Sequence, residues 1–204
     1  MVQIPLLLLV AVVLGLATAQ QTNEFAGAPL NGNTFTPLRD DDLRQAVLMW
    51  DQDDKMAKDV YGDIETWNTT FITNFRGLFA DTQSSFKYDL NAWDVSRILS
   101  FHGLAQNAPN FQADISAWDT SKVIDMSQMF AGALAFQGDL SRWNTRNTVS
   151  LMYAFDGAES FNADLSKWNT SSCQTTMAMF QGTRAAYYSI YVLGCNSLFL
   201  PHIH

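Results

Sequence analysis

Five tryptophans recur at an almost constant spacing in the 204-residue chain, and this period constrains the fold more than any other feature. Their separations are 26, 25, 25 and 25 residues, and the five are Trp67, Trp93, Trp118, Trp143 and Trp168. A fixed period of this length is typical of repeat proteins, in which each repeat buries its apolar face against its neighbours. The chain is therefore expected to be a stack of similar units.

Each tryptophan follows a short alternating segment. A small residue, an aspartate and an aliphatic residue precede it by five, four and three positions, and the aspartates are Asp63, Asp89, Asp114, Asp139 and Asp164. Alternation with a period of two indicates a strand whose aspartate faces outward. Five such strands in register predict a narrow parallel sheet.

The residues after each tryptophan have a different pattern. Asn or Asp follows directly, and Thr and Ser usually come next, which suits a turn and a helix N-cap. In the third copy the apolar residues fall on one face of a helix: Val123, Met126, Met129, Phe130 and Ala133. Glycines mark the predicted helix ends at Gly132, Gly157 and Gly182.

The first 19 residues differ from the rest. A nearly continuous apolar run from Leu6 to Leu16 is too short to span a bilayer, and Ala17-Thr18-Ala19 fits a cleavage site. We therefore predict a secretory signal peptide, with an uncleaved anchor as the alternative. Because no later stretch is long and apolar enough to cross a membrane, the mature chain is expected to be secreted or held at the cell surface.

The remaining chain divides by pattern. A polar, turn-rich stretch is expected to be a flexible linker. An acidic start followed by one apolar face, formed by Leu43, Ala46, Val47 and Trp50, predicts a helix that caps the first repeat. The predicted organisation is a signal peptide at 1–19, a linker at 20–39, a capping helix at 40–61, the repeats at 62–183, and a degenerate repeat and tail at 184–204.

The formal net charge of −8 argues against nucleic-acid binding, which needs a basic surface. In a secreted protein, Cys173 and Cys195 are candidates for one disulfide; alternatively, Cys173 is only a small buried residue. Two sequons begin at Asn68 and Asn169 and are glycosylation candidates, although asparagine also suits the turns in which they lie.

The phrase shared by the repeats reads FQADISAWDTS at 111–121 and FNADLSKWNTS at 161–171. With the V-x-x-M-x-x-M-F-x-G-A pattern that follows, it resembles the 25-residue repeats of BspA-type leucine-rich-repeat surface proteins, over about residues 43–183. The resemblance implies an α/β fold, a leucine-rich-repeat-like solenoid of about five strand–turn–helix repeats behind an N-terminal capping helix. It also implies surface display and, in some members, adhesion or ligand binding, and it implies no catalytic residues.

The aspartate column is the sharpest candidate for a site, because carboxylates about 5 Å apart on adjacent strands repel one another. They could bind Ca²⁺ through Asp114, Asp139 and Asp164, or accept hydrogen bonds from Ser116, Ser141, Ser166 or turn amides in a purely structural role. They could also form a solvated face for a basic or sugar ligand. The polar column beside them belongs to the same predicted ligand face: Lys87, Gln112, Gln137 and Asn162.

Enzymatic signals are poor, since no nucleophile elbow, metal-ligand spacing, phosphate loop or dinucleotide fingerprint is present. His102 is isolated in a degenerate repeat. We therefore expect no catalysis, no cofactor and no metal. The function that the sequence favours is binding of an extracellular protein or glycan through the strand face of a secreted or cell-surface repeat protein. A passive structural or cell-wall protein and an extracellular cation-binding module are the alternatives.

Overall fold

The computed structural model describes residues 35–37 and 39–183. Helix α1 spans Asp40–Gln52, helix α2 spans Asp54–Tyr61, and a short 3₁₀ turn spans Ile64–Thr66. The residues predicted to share one helical face, Leu43, Ala46, Val47 and Trp50, are all buried. Where one helix was expected over 40–61, Asp53 is extended and its side chain accepts the N–H of Met56, so a second helix begins there.

The rest of the described chain forms five stacked repeats, which we number from their aspartates: repeat 1 at 63–88, repeat 2 at 89–113, repeat 3 at 114–138, repeat 4 at 139–163 and repeat 5 at 164–183. The predicted strand–turn–helix solenoid is wrong. Within residues 63–183 the repeats contain no α-helix and no sheet. Adjacent repeats form isolated parallel bridges instead: Asp89 with Asp114, Ser100 with Asp125, Asp125 with Ser150, and Ser150 with Thr175.

Left-handed backbone conformations exclude the predicted helices. In repeat 3 the segment expected to be helical has positive φ at Gln128 (56°) and Gly132 (73°). The same two positions are left-handed in every repeat: Gly77 and Asp81, Gly103 and Asn107, Tyr153 and Gly157, and Ala178 and Gly182. Because an α-helix of L-residues needs negative φ throughout, each segment folds as consecutive β-turns. In repeat 3 these turns are closed by the N–H groups of Ala131 and Ala133.

The N–H groups that do not close a turn donate hydrogen bonds to backbone carbonyls of the next repeat. Every second residue of the segment donates to a carbonyl about one repeat further along the chain, at 2.6–3.0 Å. From repeat 3 to repeat 4 the donors are Met126, Gln128, Phe130 and Gly132, and the acceptors are Ser150, Met152, Ala154 and Asp156. This inter-repeat ladder supplies the backbone hydrogen bonds that a sheet or helix would otherwise provide.

Turns also replace the predicted strands. The N–H of Ser116 donates to Asp114 Oδ1 at 3.0 Å, and the N–H of Trp118 donates to the carbonyl of Ile115 at 3.2 Å. Both contacts bend the chain within the segment that was expected to be extended, since a side-chain acceptor two residues before an N–H closes an Asx turn.

Aromatic columns form the core between the turns. Trp118 and Trp143 stack with ring centroids 6.5 Å apart, and so do Trp143 and Trp168. Four phenylalanines form a second column with neighbouring centroids 5.9–6.3 Å apart: Phe86, Phe111, Phe136 and Phe161. The prediction that the columns stack from repeat to repeat is confirmed for these tryptophan pairs and for Phe136 with Phe161, whereas the other two phenylalanine pairs are tilted by 34° and 35°. Between Trp93 and Trp118 lies the ring of Phe75, whose centroid is 6.0 Å from that of Trp93 and 5.5 Å from that of Trp118.

Helix α1 satisfies backbone groups at the start of the stack. No earlier repeat donates to the carbonyls of repeat 1, and Arg44 donates to the carbonyls of Arg76 (2.6 Å) and Gly77 (2.9 Å) instead. The carboxylate of Asp51 accepts the N–H groups of Gln83 and Ser84. The side chains of α1 therefore bind backbone groups of repeat 1 that have no preceding repeat to pair with.

A candidate binding groove

The predicted ligand aspartates are turn residues. Oδ1 of Asp114, Asp139 and Asp164 accepts the N–H of the serine two residues later, at 3.0, 2.9 and 2.8 Å. This hydrogen bond, with a second one from the serine hydroxyl, lowers the pKa of all three carboxyl groups. The structural hypothesis for the column is therefore the one that the geometry favours.

The two earlier members of the column have similar local roles. Asp89 Oδ1 accepts the N–H of Asn91 at 3.0 Å, and Asp63 pairs with Lys58 Nζ at 2.7 Å. The flanking side chains of Gln112, Gln137 and Asn162 are half-buried or exposed. Across residues 35–37 and 39–183, no three histidine, cysteine, aspartate or glutamate side chains are grouped so that they could hold a metal ion.

The sequon asparagines lie in equivalent turns. Asn68 Oδ1 accepts the N–H of Thr70 at 3.1 Å, and Asn169 Oδ1 accepts that of Ser171 at 3.0 Å. Both asparagines are exposed and therefore accessible to a glycosylating enzyme. Their glycosylation stays a prediction. Cys173 is buried, with its Sγ 3.3 Å from the carbonyl oxygen of Thr175. Its predicted partner Cys195 lies outside the described residues, as do the predicted signal peptide, most of the linker and the tail at 184–204.

A concave surface lies on the part of the repeats that the sequence had assigned to helices. It is an open depression with a volume of about 350 Å³ that runs across repeats 2, 3 and 4. We call it the turn groove, and the residues that line it are Gln106, Asn107, Gln128, Ala131, Gly132, Tyr153, Asp156 and Gly157. Its volume is at the lower end of the range of small-molecule sites.

Small residues produce the concavity. The second left-handed position carries a side chain in repeats 1 and 2, at Asp81 and Asn107, and none in repeats 3 and 4, at Gly132 and Gly157. A Cβ built on Gly157 would have its nearest neighbours at 3.8 and 3.9 Å, both in the backbone of Gly132. The floor of the turn groove is therefore bare backbone, with room for a Cβ at Gly157, whereas a Cβ at Gly132 would lie 3.1 Å from Asn107 Oδ1.

Polar groups without internal partners surround this floor. In the part of the chain that the structure describes, the side chains of Gln106, Gln128, Tyr153 and Asp156 make no hydrogen bond to other protein groups, although the Asn107 amide donates to Asp81 Oδ1 at 3.2 Å. Partial burial raises the pKa of Asp156, because the charged form loses hydration that no internal donor replaces. A ligand that donates to this carboxylate would restore the missing partner.

A second polar cluster lies at the parallel bridges. His102 Nδ1 is 3.8 Å from Asp125 Oδ2, and the hydroxyl of Ser100 donates to the same oxygen at 3.3 Å. Among the described residues no hydroxyl hydrogen-bonds to the imidazole, which is the contact that a nucleophilic serine needs. Leu99 and Ile124 beside it are exposed apolar residues on adjacent repeats.

Sequence reasoning missed the turn groove, because the glycines that form its floor were interpreted as helix ends. A signal was available at the second left-handed position, which changes from Asp81 and Asn107 to Gly132, Gly157 and Gly182 along the chain. A change from side chain to glycine at one register marks the point where a surface becomes concave.

Comparison with known proteins gives one family. A family model described as "Mycoplasma protein of unknown function, DUF285" matches residues 48–147 and 105–191, which together make up more than half of the chain. No curated protein and no solved structure matches. Of the helices in the described part of the chain, none has the length and apolar character to cross a membrane.

Proposed function

Because the chain belongs to the BspA-like repeat family described as "Mycoplasma protein of unknown function, DUF285", we propose that it is a secreted or cell-surface protein that binds an extracellular protein or glycan. The turn groove is the proposed binding surface. The observation that carries the proposal is the carboxylate of Asp156, half-buried in the groove and without a hydrogen bond from any described residue. Polar groups that lack partners in a concave surface are typical of ligand sites.

The aspartate column is not part of the proposed surface. In repeats 2–5 one carboxylate oxygen of the aspartate closes a turn, and in repeat 1 the carboxylate of Asp63 pairs with Lys58, so these residues contribute to the fold. The proposal includes no catalytic step and no cofactor. The proposal that the chain is secreted is supported by the apolar run and the small-residue cleavage pattern of residues 1–19.

A variant that fills the groove tests the proposal. Gly157→Asn places a side chain on the floor at a left-handed position where Asn107 already stands in repeat 2 with φ of 55°, so the backbone tolerates the change. The purified variant and the wild-type chain are screened against arrays of glycans and of extracellular proteins. The matched control is Asp114→Asn, which keeps the turn acceptor and removes a charge from the aspartate column.

We expect wild-type binding that Asp114→Asn retains and Gly157→Asn loses. Binding lost in the control and kept in the groove variant would move the site to the aspartate column. Absence of binding to both arrays would favour the alternative from another class, a passive structural or cell-wall protein. Heat from a Ca²⁺ titration would favour the cation-binding module.

A further inference from the structure

We infer that the turn groove selects one residue of a neutral saccharide. This inference rests on the proposed function, since it names the ligand class of the same groove. It starts from three polar groups that surround one floor and have no internal hydrogen bonds within the described residues: the amide of Gln128, the phenol of Tyr153 and the carboxylate of Asp156.

The shape of the groove suits a flat, compact ligand. Its floor is the backbone of Gly132 and Gly157, with Ala131 beside them, so no side chain longer than a methyl group projects from it. Gln106 and Asn107 close one side from repeat 2, and Asp156 stands on repeat 4. A ring of sugar size in the groove would therefore lie between side chains that belong to different repeats, with backbone beneath it.

The hydrogen-bonding groups match a polyhydroxylated ring. A carboxylate only accepts, a carboxamide both donates and accepts, and a phenol does either. Ring hydroxyls also do both, so they can satisfy Asp156, Gln128 and Tyr153 together. Tyr153 lines the groove, and a phenol can offer apolar contact to sugar C–H groups while its hydroxyl makes a hydrogen bond.

Charge separates this ligand class from its competitors. The groove contains a carboxylate, and the whole chain has a formal net charge of −8, so an anionic sugar is repelled. An apolar ligand would bury the amides and the carboxylate without partners, which is unfavourable. A primary amine is the principal competing ligand, because it would pair with the Asp156 carboxylate. It would nevertheless leave the amides of Gln106 and Gln128 without partners, so we expect it to bind less well than a saccharide.

The experiment follows backbone and side-chain amide signals of the purified ¹⁵N-labelled chain during titration. The probes are methyl glucopyranoside, methyl mannopyranoside, methyl galactopyranoside and N-acetylglucosamine as neutral saccharides, glucuronate as the anionic one, and cadaverine as the amine. We expect at least one neutral saccharide to shift the signals of Gln128, Gly132 and Gly157, and glucuronate to bind more weakly than the matching glucoside.

Two groove variants and one control accompany the titration. Gly157→Asn should abolish the shifts by filling the floor. Asp156→Asn keeps the size and shape of the side chain and should weaken saccharide binding about tenfold, as expected for the loss of one charge-assisted hydrogen bond. Asp139→Asn, in a turn outside the groove, should leave binding unchanged. Because the Asp156 carboxylate makes no hydrogen bond to described residues, its variant tests the inference even if Gly157→Asn fails to fold.

Four results would overturn the inference: binding of cadaverine alone, equal or tighter binding of glucuronate, saccharide binding that both groove variants retain, or no saccharide binding at all. If an extracellular protein then bound the wild-type chain and not Gly157→Asn, the turn groove would remain the binding surface and only the saccharide would be rejected.

Discussion

The indole N–H of Trp118 donates to the carbonyl oxygen of Leu90 at 2.8 Å, and this oxygen also accepts the N–H of Trp93 at 3.0 Å. One carbonyl thus closes a turn in its own repeat and holds a buried ring of the next. The same double role recurs at Ile115, which accepts from Trp118 and Trp143, and at Leu140. The tryptophan column therefore links the repeats through hydrogen bonds as well as through stacking.

Replacement of this tryptophan tests how much the indole hydrogen bond contributes. Trp118→Phe removes the donor and part of the ring, and we expect a loss of about 1–2 kcal/mol in the free energy of unfolding. Trp118→Ala should lose about 3–5 kcal/mol, since it also leaves a cavity. Urea denaturation gives both values. Trp168→Phe is the control, and its loss should be smaller because Trp168 is only half-buried. Equal losses at the two positions would contradict this account.

At the first left-handed position of each repeat, exchanging glycine and alanine should change stability in opposite directions in repeat 1 and repeat 5. Gly77 has φ of 56° and a built Cβ would have its nearest contact at 3.5 Å, so Gly77→Ala should destabilise by about 1–2 kcal/mol through backbone strain alone. Ala178 has φ of 50° in the same register, and Ala178→Gly should stabilise by about 0.5 kcal/mol. Thermal unfolding of both variants measures the effects, and changes of the same sign would refute the prediction.

Acid should weaken the turns of the aspartate column. The N–H and hydroxyl of the following serine lower the folded-state pKa of Asp114, Asp139 and Asp164. Their stabilising effect is therefore present above the unfolded-state pKa of about 3.9 and is lost as the pH falls through the lower folded-state pKa. The melting temperature, measured from pH 6 to pH 2, should fall less steeply in the triple variant Asp114→Asn, Asp139→Asn and Asp164→Asn. Parallel curves would show that these carboxylates do not matter to the acid response.

The carboxylate in the turn groove predicts the opposite sign. Burial raises the folded-state pKa of Asp156, so its charged form opposes folding above the unfolded-state pKa and this effect disappears at lower pH. Asp156→Asn should therefore raise the melting temperature at pH 7, and the difference from wild type should vanish towards pH 3. A lower melting temperature at pH 7 would mean that the charge stabilises the fold and is not held for a ligand.

Helix α1 offers a test of how the first repeat is covered. Arg44→Met keeps the aliphatic part of the side chain and removes the donors to the carbonyls of Arg76 and Gly77. We expect a loss of about 1–3 kcal/mol, the range for hydrogen bonds from a charged group. Hydrogen exchange should increase first in repeat 1. The control Arg97→Met removes a longer, exposed contact to Thr70 at 3.4 Å and should change stability by less.

The sequence predicted the register of the stack and much of its core, because the period placed Trp118 and Phe111 at fixed positions and both are buried. It failed on secondary structure for a physical reason. The apolar spacing from Val123 to Ala133 fits a run of β-turns as well as a helix, and left-handed residues such as Gln128 and Tyr153 have side chains that give no sign of positive φ. The aspartates recur at one register in the sequence, and in repeats 2–5 their carboxylates accept the N–H that closes a turn, as in the structural hypothesis.

The inter-repeat ladder gives the stack a polarity. In the ladder each repeat donates N–H groups to its successor, while a smaller set of N–H groups donates to the preceding repeat, as from Ile124 to Leu99 and from Val149 to Ile124. The face towards the successor therefore differs from the face towards the predecessor, and each boundary in the stack pairs one kind of face with the other. Two copies that joined through these edges would meet head to tail, in a heterologous contact without twofold symmetry. At one end, Arg44 and Asp51 of α1 already bind carbonyl and N–H groups of repeat 1, so fewer of these groups are left there for a second copy to pair with.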